Sequence, residues 1–146
     1  MPGLPAETSP RTLRLQVPCE LAALEPARQQ VLAFLADEGL APRTVYQVEL
    51  VLEEVLMHQL WHAGPARGGR HTDLMVQAAP GALLLRFEDD GPAFDPTQAA
   101  QPSLPTSIDD AVPGGLGLLL TRKAVSAWSY ERVQGRNCFT LELARG

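Results

Sequence analysis

Residues 53–63 read EEVLMHQLWHA, and their types invite three chemistries. His58 and His62 stand four apart, so on a helix they project from one face and could share a zinc ion. Glu54 and His58 are also one turn apart in an otherwise apolar stretch, so they either pair with each other in the core or face a ligand. The third reading is a helix with its polar residues on one side, where His62, beside Ala63 and Gly64, caps carbonyls and favours the helix dipole. Zinc hydrolysis is the weakest of the three. Gln59 follows the first histidine and cannot act as the general base that deprotonates a zinc-bound water, and His71 sits in a glycine-rich loop with no evident part as a third ligand.

Two further stretches carry chemistry. In FEDDGPAFDP, Asp89 stands at a strand end with Gly91 two residues on, which sets a carboxylate at the mouth of a pocket beside a turn that can approach a ligand closely. Asp-Gly sequences are more often plain turns. In PGGLGLLLTRK, Gly114, Gly115 and Gly117 fall at a helix start, where free N–H groups and the positive dipole end bind phosphate. This is neither a P-loop nor a dinucleotide fingerprint, because no Gly-Lys-Ser/Thr ending follows and no first parallel strand precedes it.

The elements that must position these residues are legible from periodicity. TLRLQVP alternates apolar and polar residues as a half-buried strand does and ends at Pro18. From Glu20 the apolar spacing becomes three and four, predicting a first helix that closes at Gly39. Pro42 and Thr44 open a second, with a core stripe of Val45, Val48, Leu52, Val55 and Leu56 and a stop at Gly64-Pro65. DLMVQAA and ALLLRFED, joined at Pro80-Gly81, read as a hairpin. Residues 95–113 hold four prolines and few large apolar residues, the composition of a lid or a disordered segment. A short helix from GGLGLLLTRKAV and a closing hairpin, SAWSYERV and CFTLELA around QGRN, complete the chain. The order predicts a two-layer α/β (α+β) sandwich with a mostly antiparallel mixed sheet covered on one face by helices.

Composition bounds the rest. A chain of 146 residues suits one domain, residues 11–146, preceded by a proline-rich flexible arm over residues 1–10. The net charge of −5 argues against direct nucleic-acid binding through phosphate neutralisation. Cys19 and Cys138 match no metal or redox spacing, and no apolar run is long enough to cross a bilayer, so a cytoplasmic protein without membrane contact is expected.

The E-x-x-x-polar-x-x-x-H helix, the D-x-G strand end, the long loop, the G-x-G helix start and a threonine on the last strand occur here in one order. In that order they resemble the GHKL (histidine-kinase-like) ATPase superfamily and, within it, the bacterial anti-sigma-factor serine kinases. The resemblance runs from the first strand to residue 144 and implies the Bergerat-type ATP-binding fold. It implies Glu54 as general base, His58 in place of the magnesium-binding Asn, and Asp89 with Gly91 at the adenine. Gly115, Leu116 and Gly117 would lie along the phosphates, Arg122 on the same helix near the γ-phosphate, Thr140 at the adenine end, and residues 95–113 would form an ATP lid. The activity implied is serine/threonine-protein kinase chemistry with ATP and Mg2+. The partners implied are an anti-anti-sigma antagonist, a sigma factor and a second copy of the chain. His58 departs from the pattern, because magnesium prefers hard oxygen ligands; the alternative is a nucleotide-binding, partner-switching module without kinase activity.

Overall fold

A computed structural model describes residues 10–63, 69–98 and 115–145. The alternation in RTLRLQVP produces β1 (Arg11–Pro18), which turns Leu13, Leu15 and Val17 inward and leaves Arg14 and Gln16 exposed. β2 (His71–Ala78) and β3 (Ala82–Asp89) form the first hairpin, β4 (Ala127–Val133) and β5 (Arg136–Ala144) the second. In the second turn Gln134 and Gly135 both adopt positive φ, 51° and 77°, the pair of left-handed residues that a tight hairpin with right-handed strand twist requires.

The strand order is β1-β2-β3-β5-β4 and all four pairings are antiparallel. The expected mostly antiparallel mixed sheet thus has no parallel pair among the described residues. The two hairpins lie side by side through β3 and β5, which sets Asp89 directly opposite Asn137.

Among the described residues, three α-helices cover one face. α1 (Leu24–Leu35) is flanked by single 3-10 turns at Leu21–Ala23 and Ala36–Glu38, and Gly39 terminates the second of these at φ 66°, where a side chain would be strained. α2 (Pro42–Ala63) begins with a proline whose missing N–H costs nothing at a first helical position. α3 (Gly115–Ala124) follows the long segment. Val31 and Leu35 of α1 and Val48, Val51, Leu52 and Val55 of α2 close over Leu74, Val76, Leu85, Phe87 and Leu141 of the sheet as one apolar cluster. Arg28 ties the two long helices at their surface, reaching Glu25 at 2.7 Å and Glu49 at 2.5 Å.

The parity of β5 decides what can face the helices. Asn137, Phe139, Leu141 and Leu143 are buried, whereas Cys138, Thr140 and Glu142 lie on the opposite, open face of the sheet. That face carries ion pairs, among them Arg136–Asp73 at 2.6 Å and Arg86–Glu88 at 2.8 Å. Both cysteines are partly buried, and burial first, then Glu88, pushes the Cys138 thiol up, away from reactivity. No helix among the described residues is long and apolar enough to cross a membrane. The expected arm lies outside the described residues except for Pro10, as do the Gly64-Pro65 stop and residues 99–113 of the expected lid.

Candidate functional site

The site is organised by α2. Its apolar stripe faces the sheet, and Glu54, His58 and Gln59 emerge from its flanks. Glu54 and Gln59 are separated by about 7.5 Å of helix rise and roughly 140° of rotation, so one helix offers one side chain to α3 and the other to the end of β3. Val55 lies between them and lines a cleft with Gln59, Thr72, Asp89, Gly91, Asn137 and Phe139.

At the β3 end, Asp89 is held from three sides. Its Oδ1 accepts from the Gly91 N–H at 2.9 Å and from Asn137 Nδ2 at 3.0 Å, and its Oδ2 accepts from Gln59 Nε2 at 3.1 Å. Gln59 is itself fixed by the Thr72 hydroxyl, which donates to Oε1 at 2.7 Å. Gly91 has a steric reason to be glycine: a Cβ there would lie 3.0 Å from Asp89 Oδ1. Asn137, only 6% exposed, spans the turn after β3. Its Nδ2 also donates to the Pro92 carbonyl at 2.9 Å, and its Oδ1 accepts from Tyr130, Arg132 and the Phe94 N–H.

At the other end the Glu54 carboxylate lies against Gly117 of α3, and a Cβ at residue 117 would overlap it outright, with the carboxyl carbon only 2.5 Å away. Only glycine admits this approach. Burial, and secondarily the charge of Glu53, raises the Glu54 pKa above the ordinary carboxylate range. Gly115 opens α3, so Gly117, against which this carboxylate lies, falls in the first turn of that helix. One turn beyond Gly117, the hydroxyl of fully buried Thr121 has no hydrogen-bond partner among the described residues. Between the two ends, His58 is 8% exposed and its ring is 4.6 Å from that of Phe94, tilted 41°.

Of the residues expected at the site, Asp89 and Gly91 line this cleft, while Glu54 and Gly117 meet each other where α2 passes α3. Gly115 stands at the head of α3 as expected; the side chain of Leu116, like that of His62, lies outside the described residues. Two expectations are corrected. Thr140 does not line the adenine end, because its strand parity places it on the open face between Arg86 and Ser129; Asn137 faces the cleft instead. Arg122 is not directed to a phosphate position: five residues beyond Gly117, it is turned roughly 140° away, and its guanidinium sits over the Trp128 ring at 5.4 Å. Gln59, Thr72 and Asn137 were not identified from the sequence as site residues.

The donor set fits a nucleotide better than a resident metal. Asp89 retains acceptor capacity for an amino group, and a glycine-lined helix start can take phosphates. Among the described residues no group of three or more His, Cys, Asp or Glu is placed to hold a metal ion. Where the resemblance puts an amide ligand for magnesium, an imidazole is packed on a phenyl ring, which does not suit a cation that prefers hard oxygen donors.

Comparison with known proteins identifies the family. The family of the histidine kinase-like ATPase domain matches residues 17–143. The serine/threonine-protein kinase BtrW of Bordetella bronchiseptica is 37% identical over 99 residues, 68% of this chain and 70% of that protein. The solved RsbU and RsbW domains of Rv1364c from Mycobacterium tuberculosis superimpose over 93% of this chain with a TM-score of 0.66 at 16% identity, and this chain spans 33% of that one. A chain of the SiaB-SiaC complex from Pseudomonas aeruginosa superimposes over 90% of this chain and 88% of its own, with a TM-score of 0.59 at 16% identity. At such identities the two structures speak for the fold.

Proposed function

Because the chain belongs to the histidine kinase-like ATPase family, in the branch of the anti-sigma-factor serine kinases, we propose that it is an ATP-binding regulator that phosphorylates a serine of an anti-anti-sigma antagonist and sequesters a sigma factor, acting as a homodimer. The observation that carries this reading is the bridge made by α2, which hands Gln59 to Asp89 at one end and Glu54 to Gly117 at the other. A base at Asp89 and phosphates at the head of α3 would then be spanned by one helix.

ATP supplies the phosphoryl group; the chain supplies position and a base. Asp89, braced by Asn137 and Gln59, accepts from the adenine amino group, and Val55 and Phe139 wall the ring. The N–H groups at the start of α3 offset phosphate charge. Glu54 stands at that helix start with its pKa raised by burial, which strengthens it as a proton acceptor. It takes the seryl proton as the seryl oxygen forms its bond to phosphorus, while the bond from that phosphorus to the ADP oxygen breaks.

A second reading has its own observation. His58, buried against Phe94, replaces the oxygen ligand that phosphoryl transfer in this family uses for magnesium, which supports a module that binds nucleotide and switches partners without transferring phosphate. Calorimetric titration with ATP in magnesium and in EDTA, followed by a transfer assay on a candidate antagonist, separates the two. Transfer by the wild type that is lost in Glu54→Gln supports the kinase. Transfer gained only in His58→Asn supports the silent module, and no ATP binding in either buffer overturns both.

A further inference from the structure

The helical layer carries a second concave surface, away from the cleft. Leu21, Leu24, Glu25 and Arg28 stand at i, i+3, i+4 and i+7, and Tyr46, Glu49, Leu50 and Glu53 repeat that spacing. Such spacing puts each set on one side of a helix, and the fold makes the two sets the walls of one trough of about 530 Å3 between α1 and α2. Among the described residues none lines both this trough and the cleft beside Asp89. Leu21 and Tyr46, 64% and 65% exposed, are the two most exposed large hydrophobic residues among those described, and both border the trough. Apolar surface kept open within a polar rim is what a partner's contact site requires.

The rim sets the charge of that partner. Glu25, Glu49 and Glu53 share the trough with one cation, Arg28, which is already engaged by Glu25 at 2.7 Å and by Glu49 at 2.5 Å. Exposed Glu53 has no ion pair among the described residues, so the rim carries negative charge in excess. That charge disfavours nucleic acid and anionic membranes, and a second copy of the chain brings a net charge of −5 of its own. The walls set the partner's backbone. Both are helices, whose N–H and C=O groups bond along their own length, so an extended segment would find no strand edge to pair with. A helical segment carries its backbone partners with it. From Tyr46 to Leu56 the trough runs about 15 Å along α2, the length of roughly ten helical residues.

We propose that this trough is the docking site for a basic amphipathic helix of a partner protein, whose apolar stripe covers Leu21, Tyr46 and Leu50 and whose lysine or arginine side chains meet Glu49 and Glu53. The inference does not rest on the nucleotide reading of the cleft, and its test needs no nucleotide. The probe is a fluorescein-labelled synthetic peptide of about fifteen residues, with leucines spaced three and four apart and lysines beside them, followed by anisotropy against the full chain. One companion peptide has the same composition in scrambled order, and another has glutamates in place of the lysines. The wild type should bind the first peptide at least about tenfold more tightly than either companion. Tyr46→Ser should weaken it at least about tenfold and Glu53→Lys at least about threefold, while Glu142→Lys, on the open face of the sheet, should leave it within about twofold. All three residues are exposed, so the fold tolerates the changes. Equal binding of the scrambled peptide, or equal loss in Glu53→Lys and Glu142→Lys, would mean general charge attraction and overturn the site. Preference for the glutamate peptide overturns the charge assignment, and binding of no peptide overturns the inference altogether. Self-association in sedimentation that Tyr46→Ser abolishes would assign the trough to a second copy, and overturns it as well.

Discussion

Gly117→Ala tests how the two ends of the site are joined, because the added methyl would occupy the space of the Glu54 carboxylate. One of two things must yield. If Glu54 swings away, the cost is a change of rotamer on a flexible, half-buried side chain, about 0.5–1.5 kcal/mol. The gain in helix propensity offsets that by about 0.5–1 kcal/mol. If α3 moves instead, buried Leu118 and Thr121 move with it, and disrupted core packing costs about 2–5 kcal/mol. The side chain is the softer element, so urea unfolding should show a stability change within about 1 kcal/mol. Titration of Glu54 by carbon NMR should show its raised pKa falling back toward the ordinary carboxylate range as the carboxyl regains water. Phosphoryl transfer should drop at least about a hundredfold with the base displaced. A loss of more than about 3 kcal/mol with the titration unchanged would mean that the helix gave way, and would refute the reasoning.

Three other substitutions probe separate parts of the site. Glu54→Gln should be more stable than the wild type at pH 8. The folded protein holds the Glu54 proton more tightly than the unfolded chain, so ionisation opposes folding increasingly from the ordinary carboxylate pKa up to the raised one. The difference should vanish near pH 4 in thermal melts, and a wild type that is the more stable at pH 8 would contradict this. Asn137→Ala should cost about 1–3 kcal/mol in urea unfolding, since it strands buried donors and acceptors on both sides of the β3 turn, and weaken ATP at least about tenfold. Thr140→Ala should leave ATP affinity within about twofold, as an open-face substitution does; a larger calorimetric loss would show that the strand parity is wrong.

Much of this arrangement is legible in the order of residues. The change from period two to periods of three and four locates β1, α1 and α2, and Gly39 marks a helix end because its left-handed backbone favours glycine. Asp89 and Gly91 can be placed because a carboxylate at a strand end beside a glycine turn is a local pattern. Gln59 is different: its role depends on Asp89, thirty residues away, and on Thr72 of a strand that only the fold brings under α2. No local spacing reports such a contact.

Thr140 and Arg122 were misplaced for a different reason, and the information to place them was present. In CFTLEL the large apolar residues Phe139, Leu141 and Leu143 alternate, so they share one face and Thr140 must take the other; Asn137, two before Phe139, must join them. Residue type alone points to Thr140, whereas strand parity points to Asn137. Asn137 binds Asp89, Pro92 and Phe94 together, and Phe94 covers His58. The carboxylate that would read the base is therefore tied, through one buried amide and six residues of backbone, to the ring packed on the imidazole where a metal ligand is expected.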